Sequence, residues 1–263
     1  MLNKTIRCNQ VTFEAMDSIL EQNTLAIRIP DYAPLEVCNV LSTYFAEHPN
    51  RTQYLHDEKV NGEIEYFYYG VDRIGLPYSI TFGKETKSLE HQAYYKQALS
   101  TLKNIRSAIA PFTSPIDKVR LELDETWPHG ANLGHFDNQK LYAGIGRVID
   151  AEHSKLSEDT PHVDYLVSKQ VSFCKQLSAI VYLTVPENGG ELEIWDIANP
   201  PKVFTKNWRK TVPDPLLIRP KRGELIIINT EKPHAIRQFD AGNRISIQCF
   251  IGYNPNQPLS MWS

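Results

Sequence analysis

Apolar positions in the first 115 residues recur mostly at helical spacing. Phe13 to Gln22 carries such a pattern. Pro34 to Ala46 reads as an amphipathic helix with proline in its first turn. His91 to Ile109 places Ala98, Leu99, Leu102, Ile105 and Ile109 on one side of a longer helix. Between these, Leu25 to Pro30 reads as a short strand. Tyr66 to Tyr69 is an aromatic, strand-like run followed by turns at Gly70 and Gly75.

Beyond Pro111 the period shortens. Val119 to Leu123, Ala143 to Ile149, His162 to Val167, Ser178 to Val185 and Glu191 to Trp195 are candidate strands. So are Leu216 to Arg219, Glu224 to Asn229, His234 to Gln238 and Ile245 to Tyr253. Many short strands parted by Gly, Pro and Asn turns predict an all-β sandwich or jelly roll. The expected fold is therefore mainly β with flanking helices. Residues 1–115 form a mixed, largely helical extension packed on a β core of 116–263. Asp196 to Asp214, with its prolines and Trp208, reads as a long loop over one end of the barrel, where lids are often found.

Composition narrows the class. The chain has 263 residues, 41% hydrophobic and 22% charged, which is ordinary for a globular protein. A net charge of −3 argues against a broad nucleic-acid or membrane footprint. No apolar run reaches the 18 or so residues of a membrane span, and the first residues lack a signal-peptide pattern. Cys8, Cys38, Cys174 and Cys249 are scattered, as expected for reduced thiols in a cytoplasmic protein. A small-molecule substrate is the expected partner, and a homodimer is an allowed assembly.

The candidate chemistry lies in histidines and aspartates. Residues i and i+2 of a strand share a face, so His-x-Asp can present two ligands to one metal ion. Two such pairs exist, His135-Phe-Asp137 and His162-Val-Asp164. The second is favoured. It follows the turn-like Ser157 to Pro161 and continues as a plausible strand. It also has Ala143 to Ile149 as a hairpin partner and lies near Tyr182-Leu-Thr184 in sequence. His135 follows a loop and leads into polar residues. His234, after Pro233, offers a third ligand from a distant strand. Two histidines and one carboxylate leave three coordination positions open on Fe(II). Arg244 and Ser246 share a strand face, and an inward arginine needs a carboxylate to meet it.

With these motifs the chain resembles the Fe(II)/2-oxoglutarate-dependent oxygenase superfamily. The resemblance is carried by His162-Val-Asp164, Val181 to Leu192, Arg222 to Asn229, Pro233-His234 and Arg244-Ile-Ser246, roughly residues 140 to 253. It implies a double-stranded β-helix, with His162, Asp164 and His234 on Fe(II). It also implies that Arg244 and Ser246 bind the far carboxylate of 2-oxoglutarate, and that O2 is the oxidant. Leu183 to Leu192 and the terminal Met261-Trp-Ser263 look similar to carrier-independent iron halogenases that act on free amino acids and alkaloids. Those enzymes replace the aspartate ligand by glycine. Asp164 is present here, so the resemblance implies a hydroxylase relative acting on an unactivated C–H bond, with release of succinate and CO2.

Substrate contacts are expected from outside these motifs. Arg73, in the turn after Gly70, could take a substrate carboxylate, Glu122 a substrate amine, and Trp262 could close the pocket. One basic and one acidic contact suit a free, lysine-like amino acid. The competing readings are a halogenase, desaturase or cyclase on the same iron, and a non-catalytic β-barrel that binds a ligand.

Overall fold

The computed structural model describes residues 4–60, 63–85, 87–136, 139–164, 166, 172–201, 204–205 and 207–263. The first part runs β1 (Thr5–Arg7), α1 (Phe13–Glu21), β2 (Ala26–Ile29), α2 (Leu35–Ala46), β3 (Thr52–Val60), β4 (Glu63–Ile74), α3 (Leu89–Ala108) and α4 (Pro115–Thr126). Local chemistry sets several of these boundaries. The Thr12 hydroxyl accepts the Ala15 amide at 3.2 Å and caps α1. Ser88 caps α3 in the same way, and Pro115 opens α4 at a position that needs no amide hydrogen. There follow β5 (Ala131–Leu133), β6 (His135–Phe136), β7 (Gln139–Lys140), β8 (Ile145–Asp150), α5 (Ala151–Glu158), β9 (Lys175–Thr184) and β10 (Leu192–Ile194). The chain ends with β11 (Leu216–Ile218), β12 (Leu225–Asn229), β13 (His234–Ile236), β14 (Asn243–Tyr253) and β15 (Leu259–Trp262).

The main sheet has the order β1-β2-β12-β9-β14-β8-β4-β3, with β15 beside β14 and β5 beside β15. A smaller sheet has the order β11-β10-β13, and an antiparallel bridge from His162 to His234 extends it. Side chains alternate across the main sheet. Ala179, Val181, Ile227, Ile245 and Ile247 pack outward against α1, α2 and α4. Ile180, Tyr182, Ile226 and Ile228 point the other way and meet Leu192, Ile194 and Ile218 of the smaller sheet. Two sheets closed over one apolar layer agree with a jelly roll. The first 115 residues are more mixed than helical, since β2 joins β12 and β4 joins β8.

Four sequence expectations fail here. The strand expected from His162 to Val167 is, among its described residues, a single bridge at His162, and positions 165 and 167 lie outside the described residues. Val119 to Leu123 is helix α4, not strand. Ile116, Val119 and Leu123 are buried at helical spacing while Leu121 is exposed, so the apparent alternation was coincidental. Gly70 lies within β4 rather than in a turn. Its φ is +81°, and a Cβ there would stand 2.3 Å from the carbonyl oxygen of His153. The strand bends at this glycine to admit α5. Finally, β8 pairs with β14 and β4, not with the His162 segment, because α5 intervenes. That helix shows little apolar periodicity; Ser154 and Ser157 are its buried residues. Within 196–214, Trp208 packs edge-on against Trp195 at 5.0 Å and ties the described part of this segment to the smaller sheet. Among the described residues no helix is long and apolar enough to cross a membrane.

Candidate active site

The smaller sheet brings two distant histidines together. The His162 and His234 backbones exchange hydrogen bonds at 3.0 and 2.9 Å. The Asp164 amide donates to the Thr230 carbonyl at 2.9 Å, and the Thr230 hydroxyl donates to the Asp164 carbonyl at 3.1 Å. Both ends of the His-x-Asp segment are thus pinned to the approach to β13. The ligand atoms of His162, Asp164 and His234 all lie within 4.8 Å of one another. No other group of three such residues converges among the described residues.

The donor set fits a divalent metal. His162 Nδ1 faces the Thr160 carbonyl at 2.9 Å, and His234 Nδ1 faces the Lys232 carbonyl at 3.0 Å. Those acceptors assign the proton of each neutral ring to Nδ1 and leave the Nε2 lone pair free. The two Nε2 atoms stand 4.0 and 3.5 Å from the Asp164 carboxylate. Surrounding protein and the neighbouring His234 lower the His162 pKa, which keeps the ring neutral. Burial alone would raise the Asp164 carboxyl. The hydrogen-bonding contact with His234, the electrostatics of the two imidazoles and the charge of Arg147 outweigh it and hold the carboxyl well below the usual range. The site is open along one edge, with side-chain exposure of 48% at His162 and 34% at Asp164 against 9% at His234.

On the facing wall, Arg244 of β14 is 5% exposed. Its Nη2 donates to the Tyr182 hydroxyl at 2.9 Å, and its guanidinium lies 4.8 Å from the Tyr182 ring centre. Arg244 Nε has no partner among the described residues. A buried guanidinium bonded to one phenol is incompletely satisfied, and an anionic ligand would complete it. Ser246 is buried on the same face. Burial raises the Tyr182 pKa despite the opposing pull of Arg244, so the phenol stays protonated and can donate.

The remaining candidates divide. Arg73 lies in β4, opposite Arg147 of β8, which in turn is opposite Ser246, which is opposite Tyr182. Directly opposed residues share a face, so Arg73 joins the inward row. Glu122 does not. It sits on α4, across the main sheet from the triad, where it accepts from the Tyr32 hydroxyl at 3.0 Å. Trp262 is packed rather than poised to move, stacked on Phe173 at 5.2 Å and next to Phe136 and Phe250. His135 lies on the β6–β7 ribbon with Nδ1 toward the Leu133 carbonyl, and no second histidine joins it in a metal-binding group among the described residues. Asp137 lies outside the described residues.

Sequence reading missed Tyr182 and Arg147 as site residues. A signal existed for the second. In Ile145-Gly-Arg147-Val-Ile149, strand alternation sets a charge between two isoleucines on one face.

Residues 151–252 match the family model of the 2OG-Fe(II) oxygenase superfamily. By that match the chain is a non-haem oxygenase whose cofactors are iron and 2-oxoglutarate. No curated protein sequence matches it significantly. Solved structures resemble it distantly. An N-substituted L-amino acid dioxygenase from Burkholderia ambifaria AMMD is 13% identical at a TM-score of 0.47, over 81% of this chain and all of that one. A 2OG-Fe(II) oxygenase family oxidoreductase from Burkholderia pseudomallei is 13% identical at 0.48, over 97% of each chain. HygX from Streptomyces hygroscopicus, solved with nickel and 2-oxoglutarate, is 12% identical at 0.47, over 94% of this chain and 89% of that one.

Proposed function

We propose that this oxygenase hydroxylates an unactivated C–H bond of a small metabolite, with His162, Asp164 and His234 holding the iron. One observation carries the reading. Two imidazoles, each with Nδ1 committed to a backbone carbonyl, turn free Nε2 atoms toward one carboxylate. On the facing wall Arg244, with Tyr182 and Ser246, would take the far carboxylate of 2-oxoglutarate. The unpartnered Arg244 Nε supports that role.

Bound iron with 2-oxoglutarate and O2 supplies the oxidant, and succinate and CO2 are the by-products. The chain's own part is positioning. Thr230 fixes the Asp164 backbone, and the Thr160 and Lys232 carbonyls fix the rings. Tyr182 orients Arg244. The carboxylate of Asp164 favours hydroxylation over halogenation, because it fills the coordination position a halide would need. A free amino acid keeps its basic contact in Arg73. It loses its acidic one, since Glu122 lies on the far side of the sheet. The lysine-like reading therefore rests on the carboxylate end of the substrate alone.

The test is succinate formation measured by mass spectrometry with Fe(II), ascorbate, 2-oxoglutarate and a metabolite panel. Substrate-dependent succinate that disappears on chelation supports the reading. A protein that binds no metal and releases no succinate with any panel member overturns it.

A further inference from the structure

The inward row holds more positive charge than the cosubstrate needs. Arg73, Arg147 and Arg244 share one face of the main sheet, and none is paired with a carboxylate among the described residues. Asp164 is the anion opposite them, and the Arg147 charge reaches it and His162. A divalent metal adds positive charge, and the two carboxylates of 2-oxoglutarate only cancel it. With both bound, the three guanidiniums still outnumber Asp164. Arg244 is buried while Arg73 and Arg147 are half-buried, so each guanidinium is at least partly withdrawn from water, and a further anion would offset that cost.

Arg147 is built to receive that anion. The Gln248 amide, with its oxygen turned inward, accepts from Arg147 Nη2 at 2.9 Å and from Nε at 3.1 Å. A neutral amide orients a guanidinium without neutralising it. The Tyr54 ring lies 4.9 Å from the guanidinium carbon, and the Tyr54 hydroxyl is fixed by Ser79 at 2.6 Å. Arg73 stands across the strand pair and spends Nη1 on the Gly75 carbonyl at 2.8 Å. Arg147 is diagonal to Arg244 on the neighbouring strand, so the two can serve different ligands.

We propose that Arg147, oriented by Gln248 and Tyr54 and seconded by Arg73, anchors a carboxylate of the primary substrate, which makes that substrate a small carboxylic acid. The proposal rests on the oxygenase reading and goes beyond it, since 2-oxoglutarate is assigned to Arg244.

The test uses the full chain loaded without oxygen with Fe(II) and 2-oxoglutarate. The probes are free L-amino acids, N-acyl amino acids and simple mono- and dicarboxylates, each with its matching carboxamide. Binding is read by saturation-transfer NMR and by change in the visible absorption of the loaded protein. At least one carboxylate should bind, with its carboxamide weaker by about 10-fold or more. Arg147→Met should weaken the bound carboxylate by about 10- to 100-fold while 2-oxoglutarate affinity stays nearly constant. Arg147→Lys, which keeps charge and loses the planar fork, should restore part of the loss. Gln248→Leu should weaken the same probe while leaving 2-oxoglutarate unaffected, and circular dichroism checks that each variant folds. Three results would overturn the proposal. Arg147→Met could weaken 2-oxoglutarate as much as the probe, carboxamides could bind as well as acids, or no carboxylate could bind a protein that takes up both metal and 2-oxoglutarate. Failure to take up metal or 2-oxoglutarate would overturn the oxygenase reading and this proposal with it.

Discussion

Replacing Arg244 by Met separates a structural arginine from a ligand anchor. Arg244 is 5% exposed, and among the described residues its one hydrogen-bond partner is Tyr182 and its Nε is unpaired. A buried charge so poorly compensated contributes little to folding, and an apolar residue of similar length is often neutral or stabilising in its place. Loss of its contact to a ligand carboxylate should cost about 3 kcal/mol of binding, within the range for removing one partner of a buried charge pair. That equals roughly 150-fold in Kd at about 1.4 kcal/mol per tenfold. Thermal melting reads both effects at once. At a 2-oxoglutarate concentration of about 100 Kd, the metal-loaded wild type gains about 2.7 kcal/mol. For a chain of this length that is a rise in Tm of about 5 °C. In Arg244→Met the same concentration falls below Kd, and the rise shrinks to under about 1 °C. The ligand-free melting temperature should stay level or rise. A variant that melts several degrees lower without ligand, or keeps the full 2-oxoglutarate shift, would refute the assignment of Arg244 as the anchor.

Three further outcomes are expected. Asp164→Ala and His234→Ala should each lose Fe(II) or Mn(II) uptake in an anaerobic titration while remaining folded, and wild-type uptake in either would remove that residue from the metal site. Gly70→Ala forces a Cβ toward the His153 carbonyl at a positive φ, so it should lower urea-unfolding stability by about 1–3 kcal/mol and leave metal uptake intact. Burial pushes the Cys249 thiol up to about 12, whereas the unfolded chain ionises it near pH 8.5. Stability should therefore fall as pH rises through that window, by at most about 1.4 kcal/mol per pH unit for this one group, and Cys249→Ala should fall less steeply; equal slopes would contradict the burial argument.

The β core was readable because its strands carry a period of two against an apolar interior, as in β9 and β14, where one face packs on helices and the other lines the barrel. The helix α4 was misread because Val119, Leu121 and Leu123 imitate that period, and only burial shows that Leu121 belongs to solvent. The helix α5 escaped because its core contacts are serines: Ser154 Oγ donates to the Phe239 carbonyl and Ser157 Oγ to the Tyr69 carbonyl. Such polar anchors leave no hydrophobic trace. The site divides on the same principle. His162, Asp164, His234 and Arg244 announce themselves by residue type and spacing, since few other reasons bring two imidazoles, a carboxylate and a buried guanidinium into one sequence pattern. Arg73 and Glu122 look alike in a sequence, each a charge near an aromatic residue. The register of β4 against β8 turns Arg73 inward, while the helical phase of α4 carries Glu122 to Tyr32 on the outer layer. A substrate pocket is assembled from register between segments distant in sequence, so Arg147 gains its meaning only when Arg73, Ser246 and Gln248 are placed around it. The candidate metal ligands stand in short motifs, whereas the row of arginines is assembled by strand pairing, which is why the first were legible in the sequence and the added positive charge of Arg147 was not.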